Sequence, residues 1–141
     1  NETIYNALPS DLQSVIATTK VISSHGTTEG ETNFETQDKL YLLSLHEIYE
    51  DGTSRSISEY DTSYNNTKQL DYYKNLGVTS SNYAGAIKQY NGNNDYWWLR
   101  SVGFYSKYGN TISFTSVYKD GDWDGDSSDC LWGISPAFRI A

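Results

Sequence analysis

Methionine is missing from the 141-residue chain, cysteine occurs once and histidine twice. No apolar stretch reaches the ~18–20 residues that a membrane-spanning helix requires, so membrane insertion is not expected. The lone Cys130 excludes an internal disulfide framework, and cysteine spacing therefore carries no information about compartment. Its acidic neighbours make it a poor nucleophile. His25 and His46 each lack a second His or Cys at ligand spacing, and His46, beside Leu45 and Ile48, reads as a packed or surface side chain. There is no nucleophile elbow and no Ser-His-Asp constellation, so no catalytic residue is nominated and the chain reads as a non-enzyme. Basic residues are scarce, 10 against 18 acidic ones for a net charge of −8. That balance opposes phosphate backbones, which sets nucleic acid aside as a partner, and it accepts neutral or cationic ligands more easily. Internal repeats and low-complexity linkers are absent too.

What the chain has instead is tyrosine, 13 residues of it in a 15% aromatic composition. Tyrosine offers large contact area at low entropic cost, which suits a wet interface or a half-buried strand. The length fits one domain, 1–141, able to bury a single core. Its start at Asn1, with neither Met nor a signal peptide, reads as an excised mature domain.

Local patterns predict an α+β domain of short antiparallel strands with two or three short helices and much loop. Leu8-Pro9-Ser10-Asp11 ahead of Leu12, Val15 and Ile16 predicts a helix from Pro9 or Ser10 to Thr18, followed by a β-branched strand to Ile22. Ser23 to Asp38 reads as a surface loop, and Leu40 to Leu43 as a buried strand. Ser44 with Glu47 forms a capping box for a brief helix ending near Tyr49. Glu50 to Asn66 reads as loop with little regular structure, and Thr67 to Leu76 as a helix capped by Gly77. Thr79 to Tyr83 is turn-like, and Asn91-Gly92-Asn93-Asn94 a loop. Tyr96 to Arg100 reads as a buried strand and Thr111 to Tyr118 as another. Asp120-Gly121 is a hairpin turn, Trp123 starts the return, and Ala137 to Ile140 closes the fold.

The last third is the most informative. Apolar brackets, Tyr96-Trp97-Trp98-Leu99-Arg100-Ser101 and Gly133-Ile134-Ser135-Pro136-Ala137-Phe138-Arg139-Ile140, enclose a mixture of Tyr, Asp, Asn, Ser, Gly and Trp of the kind that builds adaptable recognition surfaces. Candidate ligand contacts are Tyr105, Tyr108, Asn110, Tyr118, Asp120, Asp122, Asp124, Asp126, Asp129 and Trp132. Since neighbours on a strand face opposite ways, one of Trp97 and Trp98 must point outward and border this site. Trp97, Trp98 and Phe138 are nonetheless expected to belong to the core rather than to stack on a ligand. Arg100 and Arg139, set in apolar strands, are expected to tie down loop carbonyls or a carboxylate. Asp120-Gly121-Asp122-Trp123-Asp124-Gly125 also fits the opening of a calcium loop, but Leu131 stands where the bidentate twelfth ligand belongs. The alternative function is thus a calcium-dependent carbohydrate-binding or hydrolytic module built on Asp120 to Asp129; otherwise no cofactor is expected.

Trp98-Leu99-Arg100-Ser101, with Gly133-Ile134-Ser135-Pro136-Ala137-Phe138-Arg139-Ile140, resembles the carboxy-terminal signature of C-type-lectin-fold domains of the formylglycine-generating-enzyme type. The longer pattern runs from Lys39-Leu40-Tyr41-Leu42-Leu43-Ser44 through Gln69-Leu70-Asp71-Tyr72-Tyr73 to the closing Ser135-Pro136-Ala137-Phe138-Arg139. It is similar to a bacterial and phage family of surface domains that includes variable proteins of diversity-generating retroelements. The likeness spans roughly residues 8 to 141, and its specific part is the last third. It implies a C-type-lectin-like scaffold, probing a protein or glycan ligand on a cell surface, at the C-terminus of a larger extracellular, cell-surface or virion protein. It also implies a hypervariable segment, 102–132, rewritten by a reverse transcriptase that misincorporates at template adenines. The Tyr, Asp, Asn and Cys residues of that segment are within reach of an Asn codon, whereas Lys107, Lys119, Trp123 and Trp132 are not. A single cysteine cannot supply the oxygen-activating pair of formylglycine-generating enzymes, and the sugar-binding Glu-Pro-Asn or Gln-Pro-Asp tripeptide of calcium-dependent lectins is absent.

Overall fold

The capping box at Ser44 shows how local sequence sets the first fixed point of the fold. The Ser44 hydroxyl accepts from the Glu47 N–H at 3.2 Å, and the Glu47 carboxylate accepts from the Ser44 N–H at 2.9 Å. Helix Leu45–Ile48 follows, with all of its residues buried. The computed structural model describes residues 2–26, 30–103 and 113–141. Within them the chain is a mixed α/β structure of short antiparallel strands and short helices. The helices are α1 (Glu2–Asn6), α2 (Ser10–Val15), α3 (Leu45–Ile48), α4 (Ile57–Tyr60) and α5 (Asp71–Asn75), with 3-10 turns at Tyr64–Asn66 and Ala84–Ala86.

The strands are β1 (Ile16–Ala17), β2 (Thr19–Ser23), β3 (Phe34–Asp38), β4 (Lys88–Tyr90), β5 (Asn93–Asp95), β6 (Trp97–Gly103), β7 (Ser113–Val117), β8 (Trp123–Ser127) and β9 (Arg139–Ile140). They pair as β1-β9, β2-β3, β4-β5 and a three-stranded sheet β6-β7-β8. The larger sheet carries the core on one face: Trp97, Leu99 and Ser101 of β6, Thr115 and Val117 of β7, and Trp123 of β8 are all buried. Against them pack Leu45, Ile48, Tyr49, Ile57, Tyr73 and Val78. β6 shows the period-2 alternation of a half-buried strand, whereas β7 is buried at Thr115, Ser116 and Val117 in succession. Register shifts between Trp98 and Val102, the two ends of β6 pairing with Ser116 and Phe114.

Arg100 and Asp61 are held inside the core by full sets of hydrogen bonds, whereas the buried indole N–H of Trp123 has no partner among the described residues. Arg100 donates from Nε to the Ile22 carbonyl at 3.1 Å, and from Nη1 to the Leu42 carbonyl at 2.8 Å and to Glu47. The fully buried Asp61 carboxylate accepts from the His46 N–H, the Ser63 N–H and hydroxyl, and the Ser101 hydroxyl. His46 stacks on Tyr64 with centroids 3.7 Å apart, a packed histidine as read from the sequence.

Several expectations need correction. The first helix stops at Val15 because Ile16 and Ala17 are claimed by β9. Phe34 to Asp38 is a strand, not loop: it pairs along β2 from Thr19↔Asp38 to Ser23↔Phe34. Leu40 and Leu43 are buried as expected, but Tyr41 makes only an isolated bridge to Ala137. The polar stretch after Glu50 contains α4 and a 3-10 turn, and the helix expected from Thr67 begins at Asp71, ending before Gly77 at φ +66. Asn91 and Gly92 both take positive φ, 51 and 80, which is the two-residue turn joining β4 to β5. Of the two tryptophans, Trp97 is core and Trp98 is only half-buried, while Phe138 is 36% exposed. Arg139 is exposed on a two-residue strand, so only Arg100 has the tying role.

Candidate ligand-binding face

β-Pairing turns one row of side chains away from the core. Trp98 lies opposite Ser116, which lies opposite Asp124, and Phe114 lies opposite Asp126. At the edge of this face four half-buried aromatic rings form a chain. Tyr118 meets Tyr96 edge-on at 5.0 Å, Tyr96 stacks on Trp132 at 4.0 Å, and Trp132 meets Trp98 edge-on at 6.2 Å. The backbone places Trp132 there: Trp98 N–H donates to the Gly133 carbonyl at 3.0 Å, and Gly133 N–H to the Tyr96 carbonyl at 2.9 Å. The indole N–H of Trp132 has no partner among the described residues.

Asp126 anchors the polar side of the chain of rings, accepting from the Ser116 hydroxyl and, at 3.4 Å, from the Tyr118 hydroxyl. Burial first, and then the charges of Asp126 and Asp124, push the Tyr118 phenol up to about 12. Tyr118 therefore stays a neutral donor at any physiological pH. Next to the rings opens a groove of about 440 Å³, lined among others by Lys88, Tyr90, Asp95, Tyr96, Trp132 and Ile134. The Lys88 ammonium sits 4.8 Å over the Trp97 ring, and burial lowers its pKa.

Of the ten residues read as contacts, the structure gathers Tyr118, Asp126 and Trp132, with Asp124 exposed in the adjoining row. The other acids go elsewhere. Asp122 pairs with Arg55, whose guanidinium lies 4.0 Å over the Trp123 ring, and Asp120 accepts from the Asp122 N–H at 3.1 Å within its own turn. Asp129 is exposed beyond β8. Tyr105, Tyr108 and Asn110 lie outside the described residues. Among the described residues no three His, Cys, Asp or Glu side chains gather as a metal site. The would-be calcium loop is instead a hairpin running into an extended strand, which spreads its carboxylates rather than coiling them around one ion.

Sequence reasoning missed Tyr96, Lys88, Tyr90 and Ile134 as site residues, having assigned Tyr96 and Ile134 to the frame. The alternation argument requires one outward tryptophan without saying which; the structure turns Trp98 outward, against the expectation that it belongs to the core. No signal in the sequence could bring the β4–β5 hairpin to Trp132, because that juxtaposition depends on the bridge between Trp97 and Gly133. No curated protein and no solved structure matches the chain. A family does: over residues 1–141, which include every strand and aromatic ring of this face, the chain belongs to the family described as Domain of unknown function (DUF6273).

Proposed function

We propose that this is a non-enzymatic ligand-binding domain on a C-type-lectin-like scaffold, the C-terminal part of a larger cell-surface or virion protein, and that segment 102–132 presents a diversified recognition surface. One observation carries the reading. The start of the strand that leads into that segment and the residue that follows it are pinned side by side by the hydrogen bonds between Tyr96, Trp98 and Gly133, at 2.9 and 3.0 Å. Backbone bonds at its flanks hold the segment's frame without side chains, which leaves its outward positions open to replacement. Support comes also from the alternation in β7 and β8. Val117 and Trp123 face the core, while Tyr118, Asp124 and Asp126 face away, so replacement at the second set spares the packing.

In this reading Tyr118 and Trp132 supply contact area, and Asp124 and Asp126 pair with polar or cationic groups on a protein or glycan ligand. The test is on DNA: sequence the locus and many copies of the 3′ end of the gene. Expected are a neighbouring reverse transcriptase and a near-identical repeat, with differences confined to template adenines and falling on outward positions such as Tyr118, Asp124 and Asp126. An invariant 3′ end without such a repeat overturns the diversification.

A further inference from the structure

Lys88 stands apart from the other basic residues that the fold uses. Arg100 is paired with Glu47, Arg55 with Asp122, Lys20 with Glu35 and Lys119 with Asp95. Lys88 is half-buried at the start of β4, its ammonium over the Trp97 ring, and among the described residues it has no carboxylate partner. Its cross-strand neighbour Asp95 is engaged by Lys119 at 4.0 Å and by the Tyr96 N–H at 2.9 Å. A cation that has lost part of its hydration without gaining a counter-charge is matched by an anion arriving in the groove. The net charge of −8 does not forbid this, because exposed charges beyond ~8–10 Å are largely screened while a contact pair is not.

Two further features say what kind of anion. Gly133 uses both its N–H and its carbonyl toward β6, so the alternation of an extended chain turns the backbone groups of Trp132 and Ile134 the other way. Among the described residues those groups have no backbone partner. Residues 132–134 are held to β6 by the single bridge Trp97↔Gly133, and these groups are the ones left for a further extended chain. Around the groove Tyr90, Leu131 and Ile134 are 70, 102 and 60% exposed, three large apolar side chains in one lining. A small inorganic anion leaves all of them in water, whereas a strand with alternating side chains covers them.

We propose that the groove between the β4–β5 hairpin and residues 131–135 binds an extended segment of a partner protein, which adds its backbone along residues 132–134, sets an acidic side chain on Lys88 and covers Tyr90, Leu131 and Ile134 with apolar ones. The proposal deepens the ligand-binding reading and rests on it for the premise that the domain binds at all.

The experiment is selection of a phage-displayed random heptapeptide library on the whole 141-residue chain. Enriched sequences are expected to carry Asp or Glu among Val, Ile, Leu or Phe. A synthetic peptide of that sequence should lose at least about tenfold in affinity on Lys88→Gln and on Ile134→Asp, both checked for an unchanged melting temperature, and should lose binding when alternate amides are N-methylated. Lys88→Glu should recover binding to the peptide whose acid is replaced by Lys, while Lys20→Gln, outside the groove, should change nothing. The proposal is overturned if no sequence is enriched, if enriched peptides lack an acid, or if they bind Lys88→Gln and Ile134→Asp as tightly as the unaltered chain. Lys88, Tyr90 and Ile134 lie outside 102–132, so the two ideas fail separately. An invariant 3′ end leaves a peptide-binding groove standing, and a diversified 3′ end with no peptide selected leaves only the variable surface.

Discussion

Arg100 and Arg139 look alike in the sequence, each an arginine within an apolar stretch, and the structure separates them. Arg100 sits in the longest strand, where its fork meets two carbonyls and Glu47 with the pair's side chains only 9 and 12% exposed. Arg139 lies on a two-residue strand and is exposed. Removing one member of a buried charge pair leaves the other bare and costs ~3–5 kcal/mol. Arg100→Met should therefore lower the urea midpoint severely, whereas Arg139→Met should stay within ~0.5 kcal/mol of the unaltered chain. Comparable losses for both would contradict the assignment. Burial of Arg100 was legible in its apolar neighbours, but its partners come from residues 22, 42 and 47, which no local pattern joins to it.

Elements defined by a few adjacent residues were readable, and those defined by distant ones were not. The Ser44–Glu47 box is complete within four positions, so its helix was legible, and the Asp120-Gly121 pair marked the β7–β8 hairpin, where Gly121 takes a φ of +92. By contrast, β3 reads Phe-Glu-Thr-Gln-Asp with neither face buried, which erases the period-2 signal, and only its partner β2 makes it a strand. Helix α4 likewise depends on Asp51, whose carboxylate accepts the Ile57 N–H at 2.6 Å from outside the helix. Ser44→Ala removes a cap whose hydroxyl is fully buried, and it should cost ~1–2 kcal/mol by chemical denaturation. A loss near zero would mean that tertiary packing alone holds α3.

Across the whole molecule the many tyrosines set a limit at high pH. Burial, followed by the Asp122 charge, drives the Tyr49 phenol well above its usual range; burial, followed by Tyr72, brings Tyr73 to about 12; Tyr118 reaches about 12 as well. Unfolded tyrosines ionise near pH ~10, so the native state keeps protons that the unfolded chain has released. The stability that Tyr73 and Tyr118 provide is complete below pH ~10 and is lost as pH rises through about 12. Titration of tyrosinate absorbance should show a fraction of the 13 tyrosines ionising late and together with unfolding, and simple ionisation near pH ~10 of all of them would contradict their burial. The candidate face was legible as a composition, in the Tyr, Asp and Trp between two apolar brackets, but not as a place, because the rings meet only once Gly133 is bonded beside β6. The small β1–β9 pairing has a mechanical meaning of its own. Ile16 faces Ile140, and the Ala141 N–H reaches the Val15 carbonyl at 3.0 Å, so positions 15 and 141 lie at the same end of one antiparallel ladder. Tension applied between them loads those bonds singly, as a zip opens, rather than in parallel. Under such a pull the clasp yields first, before the three-stranded sheet and the rings it carries are under load.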